Sequence, residues 1–237
     1  IVDKEKNNVV LDQEIKELDK ITDIIFGSES SDYAGSLVVS DAKVLAYPMR
    51  SNCAPFVWIT CPAVLKRLNK DLRLAEKDPV ADLSDLNLLD KDKAWCVKGH
   101  LQGQVLLEDL EVQAEDGKII GEALSSLLSY YRGADQLLVV HDEVFAYGVS
   151  NCTSVMAHIK IDQRTGTTAQ GSLRYQEELP ADTLMYCVVL WGGSRDVDET
   201  LKAGVIAEYI KDKFMHSHLQ IGGDETLGRG IFELSWM

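Results

Sequence analysis

The sequence has no apolar run near the roughly 18–20 residues that a helix needs to cross a bilayer. It also shows no basic-then-apolar leader at its start. These absences predict a cytoplasmic protein without a membrane partner. The 237 residues, 46% of them hydrophobic, suffice for a substantial core in one large domain or in one domain with insertions.

Zinc-binding patterns are also missing. The five cysteines are scattered and show no CxxC spacing: Cys53, Cys61, Cys96, Cys152 and Cys187. Only His216 and His218 are close enough to share a strand face, and no cysteine or third histidine lies near them in the sequence. A zinc site is therefore not expected. Most of the cysteines are predicted to be small buried side chains in a reducing compartment.

Positive charge is scarce, with 24 basic residues against 38 acidic ones and a formal net charge of −14. A free protein that binds RNA through its phosphates usually carries a basic excess, because Lys and Arg displace counterions. Composition alone thus favours a solvated acidic surface. One predicted helix, Pro62 to Leu74, carries cations away from its apolar stripe: Lys66, Arg67, Lys70 and Arg73. A solvated charged face is the favoured interpretation there, ahead of a nucleic-acid patch.

Helical and extended patterns alternate along the chain. Helices are predicted over Asp12–Ile25, Pro62–Leu74, Ile119–Tyr131 and Glu199–Phe214, and around Val144. Extended segments are predicted over Ser36–Met49, Trp95–Val112, Leu137–Val140, Leu184–Trp191, His218–Ile221 and Gly230–Trp236. The last third, in the order strand, helix, strand, strand, fits most of a ferredoxin-like unit. The sequence therefore predicts an α+β fold.

Two connecting segments stand out. Glu76 to Lys93 has alternating charges without sustained periodicity, which predicts a loop or insertion. Ser154 to Tyr175 is predicted to form a β-hairpin, because two extended runs flank Arg164 to Thr167. Gly166 within that turn suits a position with positive φ.

The segment His218 to Phe232, HLQIGGDETLGRGIF, places four glycines and an arginine between two predicted strands: Gly222, Gly223, Gly228, Arg229 and Gly230. Glycine adopts positive φ and lets successive backbone N–H groups approach one anion, while arginine adds a forked cation. This pattern predicts a phosphate-binding loop. The alternative is an ordinary glycine-rich turn between paired strands, since short glycine motifs often match by chance.

Five stretches together form a recognisable pattern. They are Asp23–Gly27 (DIIFG), Gly35–Ser51 (GSLVVSDAKVLAYPMRS), Ile59–Leu72 (ITCPAVLKRLNKDL), Ile159–Tyr186 and Leu219–Gly230 (LQIGGDETLGRG). In order and spacing they resemble the backbone subunits of the type III-B Cmr complex, members of the RAMP superfamily of CRISPR RNA-binding proteins. The resemblance implies a single RAMP domain over residues 1–237, RRM-like or ferredoxin-like, with insertions near residues 76–95 and 159–180.

The resemblance also implies partners. A subunit of this family stacks in several copies along a CRISPR guide RNA, which pairs with a complementary target RNA, beside other subunits of the Cmr complex. The resemblance further implies that the predicted β-hairpin is a thumb that wedges into the guide–target duplex. Arg164 and Arg174 of the hairpin, with the glycine-rich segment, are the expected RNA-binding residues. An acidic exterior around a guide-facing groove of amides and a few arginines reconciles this role with the net charge.

Cleavage of the target RNA, with magnesium or manganese as a divalent cofactor, is a further implication of the resemblance. Such cleavage needs a deprotonated 2′-hydroxyl, an aligned phosphate and stabilised charge. On the thumb, Glu177 and Glu178 are candidates for binding the ion or assisting a base. Tyr175 or Arg174 is a candidate for positioning the phosphate. The alternative is that Tyr175 is an ordinary strand-end residue and that both glutamates face solvent.

The sequence departs from the family pattern at its start. Family members begin with a strand, a loop carrying the catalytic aspartate and a basic helix, whereas KEKNN follows Asp3 here. Asp3 is therefore a poor candidate for that aspartate, and we expect the chain to begin after that region. Two other functions stay open: a noncatalytic scaffold for RNA and partners, and a stand-alone acidic enzyme that binds a phosphate or nucleotide through the glycine-rich segment.

Overall fold

The computed structural model describes residues 20–29, 33–80, 89–130, 135–195, 201–213 and 218–237, without the side chains of residues 123, 126 and 213. Two units are distinguished by their internal packing. We call Ala42–Cys187 the sheet unit, and the described residues of Ile1–Asp41 and Val188–Met237 the terminal unit. Within the part of the chain that is described, no helix combines the length and the apolarity required to span a membrane.

The strands and helices have the following bounds. The strands are β1 (Leu37–Val39), β2 (Lys43–Met49), β3 (Val57–Thr60), β4 (Lys93–Lys98), β5 (Gly103–Leu107), β6 (Leu110–Asp116), β7 (Leu137–Val140), β8 (Ser154–His158), β9 (Arg174–Glu178), β10 (Leu184–Tyr186), β11 (Val189–Trp191), β12 (His218–Gln220) and β13 (Ile231–Glu233). The helices are α1 (residues 20–26), α2 (Pro62–Leu74), α3 (Lys118–Ala123), α4 (Ser125–Leu128), α5 (Asp142–Asn151) and α6 (Ala203–Lys213).

The sheet unit is built on one mixed sheet of seven strands in the order β10-β2-β3-β7-β4-β6-β5. Its central strands β3 and β7 run parallel, and every residue of both is buried. Such short, uninterrupted apolar runs are typical of strands covered on both faces. The buried strand predicted over Leu137–Val140 is therefore confirmed.

Proline is tolerated within β2 because of its position in the sheet. Strand β10 pairs with β2 only as far as Ala46, so Pro48 lies beyond that pairing. There β2 has a hydrogen-bonded neighbour, β3, on one side among the described strands. Proline cannot donate a backbone hydrogen bond, and a locally unpaired edge is where it fits within a sheet.

Helix α2 forms as the sequence predicts, with Pro62 at its start. Its buried apolar residues include the expected stripe: Val64, Leu65, Leu68 and Leu72. Helix α5 covers the same sheet through Gly148, where an added Cβ would lie 2.9 Å from the Met49 sulfur. Glycine there allows the helix to approach the strand closely.

The carboxylate of Asp71 on α2 links the helix to the β10 edge of the sheet. It accepts hydrogen bonds from Lys43 Nζ and from the Tyr186 hydroxyl, each at 2.7 Å. The hydrogen bond from Lys43 is the main cause that lowers the pKa of Asp71. Burial, with the hydrogen bond to Asp71, raises the pKa of Tyr186 to about 12.

Stability should depend on the ionisation of Asp71. A carboxyl whose pKa is lower in the folded than in the unfolded chain stabilises the fold above its unfolded pKa of about 4, and this contribution is lost as the pH falls through the folded pKa. Denaturant titrations of the wild type and Asp71→Asn should therefore differ most near neutral pH and converge as the pH falls below about 4. The matched control is Asp78→Asn, which removes a carboxyl at an exposed site. A difference in the free energy of unfolding between the wild type and Asp71→Asn that stays the same at acidic pH would contradict the proposed role of the ionised Asp71 carboxylate.

The terminal unit follows the predicted order of strand, helix, strand and strand in β11, α6, β12 and β13. Strand β1 pairs with β11, and β12 pairs with β13, both antiparallel. The core of the unit consists of Ile24, Ile25, Ile206 and Ile210. Residues 20–26 confirm the end of the helix predicted over Asp12–Ile25, while residues 12–19 lie outside the described part.

Three details of the sequence prediction are wrong. The single strand predicted over Leu184–Trp191 is two strands, β10 and β11, in different sheets, because an unbroken apolar run carries no signal of where it divides. The helix predicted over Ile119–Tyr131 is two short helices, α3 and α4, which meet at Leu124. Most cysteines are not buried: Cys61 and Cys96 are, and burial raises the pKa of the Cys61 thiol to about 12.

Candidate nucleic-acid interface

The glycine-rich segment forms a closed loop between the paired strands β12 and β13. The loop begins with a hydrogen bond from the Ile221 amide to the Gly230 carbonyl, at 2.8 Å. A single 3₁₀ turn, Glu225–Leu227, follows Asp224, whose carbonyl accepts from the amides of Leu227 and Arg229. The Gln220 side chain donates to the Gly222 and Arg229 carbonyls. These contacts give the loop a defined backbone conformation.

The four glycines of this loop differ in what the fold requires of them. Gly222, Gly228 and Gly230 have positive φ, at 98°, 74° and 69°. A Cβ at Gly230 would lie 2.1 Å from the Ile221 carbonyl oxygen, so the closed loop itself requires that glycine. Gly223 has neither constraint, because its φ is not in the positive region and nothing lies within 4 Å of its would-be Cβ. Nothing in the described fold explains a glycine at position 223.

Several amides of the loop donate to no backbone acceptor in the described part of the chain. The Leu227, Gly228 and Arg229 amides donate within the loop. The amides of the neighbouring pair Gly222 and Gly223 have no such internal acceptor among the described residues. Both residues are exposed, as is Arg229. The loop thus carries two adjacent N–H groups and an arginine, the kinds of donor that a phosphate accepts.

Substitutions at Gly230 and Gly223 should separate loop structure from ligand contact. Gly230→Ala is expected to lower the free energy of unfolding by about 1–3 kcal/mol, because a side chain at that φ is strained and meets the Ile221 carbonyl. Gly223→Ala, the matched control, should change it by less than about 0.5 kcal/mol. Chemical denaturation measures both. Equal losses in the free energy of unfolding for the two variants would contradict the claim that the loop structure requires a glycine at position 230 but not at position 223.

The predicted hairpin is present as a two-stranded antiparallel ribbon of β8 and β9. Its long connection is closed by a bridge between Ile161 and Thr168. Gly166 has φ of +70°, as predicted for the turn. The Asp162 carboxylate accepts from the amides of Thr165 and Arg164, and these hydrogen bonds lower its pKa. Arg164 is thereby held at the exposed turn.

The ribbon separates the predicted catalytic residues onto two faces. Val155 is opposite Glu177 and Ala157 is opposite Tyr175, so these four share one face. Glu178 lies opposite Ser154 on the other face, which it shares with Arg174. The fold therefore brings Tyr175 and Glu177 together and turns Glu178 away from both. Glu177 accepts a hydrogen bond from the Thr153 hydroxyl at 2.5 Å.

Large apolar side chains are exposed along the whole ribbon. Tyr175 is 71% exposed and Val155 is 63% exposed. Further exposed apolar residues continue around it: Met156, Ile159, Ile161, Leu173 and Leu179. Exposed apolar side chains concentrated on one ribbon are typical of a binding surface. The two interpretations of Tyr175, as a residue that positions the phosphate and as an ordinary strand-end residue, both stay predictions.

A cleft of about 460 Å³ opens at the base of the ribbon and was missed from the sequence. Its lining includes Arg50, Glu108, Tyr147, Val155 and Pro180. Arg50 Nε donates to both carboxylate oxygens of Glu108 at 2.9 Å, and this pairing lowers the pKa of Glu108. The side chain of Arg50 is nevertheless 84% exposed. The signal for Arg50 was its position inside the matched stretch Gly35–Ser51.

The predicted metal ligands do not form a cation site. Glu177 and Glu178 lie on opposite ribbon faces, and within the described ranges no three His, Cys, Asp or Glu side chains are grouped to hold an ion. Oxygen-rich grouping is what magnesium and manganese require. The described residues therefore show no grouped set of ligands for magnesium or manganese.

Residues 3–233 match the family model described as the RAMP superfamily. The chain belongs to the RAMP superfamily. Among curated proteins, this RAMP chain is 30% identical over 227 residues to the "CRISPR system Cmr endoribonuclease Cmr4" of Pyrococcus furiosus, covering 89% of the chain and 73% of that protein. It is 24% identical over 258 residues to the "CRISPR system CMR subunit Cmr4" of Saccharolobus solfataricus, covering 94% and 80%.

Solved structures share the fold. Oligomeric Cmr4 from Pyrococcus furiosus matches with a TM-score of 0.68 and 24% identity, over 90% of this RAMP chain and 76% of that one. A chain of the type III-B Cmr-beta complex bound to cognate target RNA matches with a TM-score of 0.69 and 22% identity, over 96% and 80%. The α+β RAMP fold and the family resemblance read from five stretches are confirmed. The roles of individual site residues stay predictions.

Proposed function

We propose that this RAMP chain is a guide-RNA-binding backbone subunit of a type III-B CRISPR complex that targets RNA. The observation that carries the proposal is the exposed pair Gly222 and Gly223: their amides have no internal acceptor among the described residues, and the fold does not itself require a glycine at position 223. A glycine that the fold does not need, within a loop of fixed conformation, fits the close approach of a partner's phosphate. The similarity to Cmr4 proteins of Pyrococcus furiosus and Saccharolobus solfataricus supports the same role.

The β8–β9 ribbon is proposed as the thumb that contacts the guide–target duplex. Its exposed aromatic and aliphatic side chains suit stacking against a base or insertion between bases, an interaction worth about 1–3 kcal/mol per stacked base. Tyr175 lies on the same face as Val155 and Ala157, so this face presents a ring among small or branched side chains. Arg164 at the turn and Arg174 on β9 are the cations available to nearby phosphates.

Target cleavage is the proposed activity, in line with the name endoribonuclease carried by the Pyrococcus furiosus relative. Of the candidate residues, Glu177 and Tyr175 share a face and can act on one substrate group. Magnesium or manganese is the proposed cofactor. A noncatalytic scaffold is the second candidate, because Glu178 faces away from Tyr175 and Glu177 and the three do not form one site.

The experiment that tests the proposal is cleavage of an end-labelled, guide-complementary RNA by a reconstituted Cmr complex in which this chain is the sole backbone subunit. Magnesium and manganese are added in separate reactions. Cuts at regular spacing are expected if the residues of this chain suffice for catalysis. An intact target together with normal assembly on guide RNA would mean that the chain is a scaffold. Failure to assemble on guide RNA would refute both.

A further inference from the structure

The exposed face of α2 concentrates positive charge in an acidic protein. We define the cationic face as Lys66, Arg67, Lys70 and Arg73, all of which are exposed. Residues three and four apart on a helix are neighbours, about 5–6 Å apart at their Cβ atoms. Lys66, Lys70 and Arg73 therefore form a continuous row. At ~1.5 Å of rise per residue, the row extends about 10 Å along the helix.

The acidic residue of the same helix is already used inside the fold. Asp71 accepts from both Lys43 and Tyr186, and its side chain is 12% exposed. Arg67 is also held in place, because its guanidinium donates to the Val44 carbonyl and lies 6.0 Å from the centroid of the Tyr186 ring. Asp71 therefore forms an ion pair with Lys43 and does not neutralise the row of Lys66, Lys70 and Arg73.

Two cations of the row, Lys70 and Arg73, are available for an external anion. Neither Lys70 nor Arg73 has an ion-pair partner among the described residues. Other surface lysines differ: Lys91 pairs with Glu143, and Lys93 pairs with Glu115. In a chain with 38 acidic residues, an exposed row of cations on a helix whose own acidic residue is engaged by Lys43 and Tyr186 is not the even mixture expected of a merely solvated face.

The composition of the face favours a nucleic acid over a protein partner. Lysine is depleted from protein–protein interfaces, whose centres are rich in aromatic and other apolar residues. The large apolar residue exposed on α2 is Leu74, at the end of the helix. A phosphodiester backbone, by contrast, is bound by Lys and Arg at successive phosphates without need of apolar contact.

We infer that the cationic face of α2 binds the phosphate backbone of RNA, as a contact additional to the glycine loop and the ribbon. The inference rests on the proposed RNA-binding function and adds a surface to it. The contact does not read sequence, because it reaches phosphates and not base edges. The RNA strand is either the guide or the paired target, which share this chemistry.

The test removes three charges and measures the salt dependence of RNA binding by the reconstituted complex. The variant Lys66→Gln/Lys70→Gln/Arg73→Gln is compared with Lys91→Gln/Lys118→Gln/Lys202→Gln, which removes the same charge at exposed sites elsewhere. Each lost phosphate contact lowers the slope of log K against log salt by about 0.7 for a single strand. The α2 variant should lose about 2 in slope per bound chain, whereas the control should match the wild type.

Two arms identify the strand. A slope lost with guide RNA alone assigns the contact to the guide, and a slope lost only with the guide–target duplex assigns it to the target. An unchanged slope in both arms, with wild-type binding intact, overturns the inference. So does an unchanged slope with loss of another subunit or copy, since the face would then dock protein. If the wild type retains no RNA, the proposed function itself fails. Lys70→Gln alone, with an expected loss of about 0.7, decides the matter if the triple variant does not fold.

Discussion

Replacing Gly223 with leucine is expected to weaken guide-RNA retention by roughly ten- to a hundredfold while the chain stays folded. The loop accepts a side chain at this position, because the would-be Cβ has open space and the backbone φ is not positive. A bulky group there keeps a phosphate away from the Gly222 and Gly223 amides. A hydrogen bond to a charged group contributes about 1.5–3 kcal/mol, and each 1.4 kcal/mol is about tenfold in affinity.

The control for this variant is Gly204→Leu. Gly204, on α6 in the same unit, also has open space around its would-be Cβ and no positive φ. Guide-RNA retention, measured by filter binding of labelled guide to the assembled complex, should match the wild type for Gly204→Leu. Full retention by a folded Gly223→Leu protein would refute the loop as the phosphate contact and leave it an ordinary turn between paired strands.

Tyr175→Ala and Glu177→Gln are expected to slow target cleavage by about 100-fold or more each, the scale of a lost acid–base or positioning group. Both side chains lie on one ribbon face, so they act on the same substrate group and their effects should not be additive in the double variant. Glu178→Gln, on the opposite face, is the matched control and should stay within about threefold of the wild type. Single-turnover cleavage of end-labelled target measures all four proteins.

Two outcomes would contradict this assignment. Equal losses for Glu177→Gln and Glu178→Gln would mean that the ribbon changes conformation when it binds RNA, since the two side chains diverge in the structure. Full activity of both Tyr175→Ala and Glu177→Gln would remove the ribbon from the chemistry and leave it as a wedge or scaffold element. Target binding, followed separately, distinguishes a wedge from an element without a role.

Strongly patterned segments were predictable from the sequence alone. Leu137–Val140 is a buried central strand, Pro62 begins α2, and Gly166 occupies a turn with positive φ. These features depend on local chemistry: β-branched runs, the fixed φ of proline and the freedom of glycine. The glycine-rich segment was placed between its two strands for the same reason.

Features that depend on pairing partners were not predictable. The run from Leu184 to Trp191 divides between two sheets because β10 pairs with β2 and β11 pairs with β1, which no periodicity reveals. The sequence placed Glu177 and Glu178 side by side as a pair of ligands, yet strand geometry alone sends neighbouring side chains to opposite faces. The sequence also could not show that Asp71 accepts hydrogen bonds from Lys43 and Tyr186, which leaves the cationic face without a neutralising carboxylate from its own helix.

Nuclease protection of the guide RNA tests directly whether this chain binds guide RNA. Labelled guide is digested in a complex assembled with this chain, with its Gly223→Leu variant, or without any backbone subunit. If this chain is a guide-RNA-binding backbone subunit, we expect the wild-type chain to protect the guide in segments of regular length and the Gly223→Leu variant to protect it poorly. A guide digested equally with and without the wild-type chain would contradict the claim that this chain binds guide RNA.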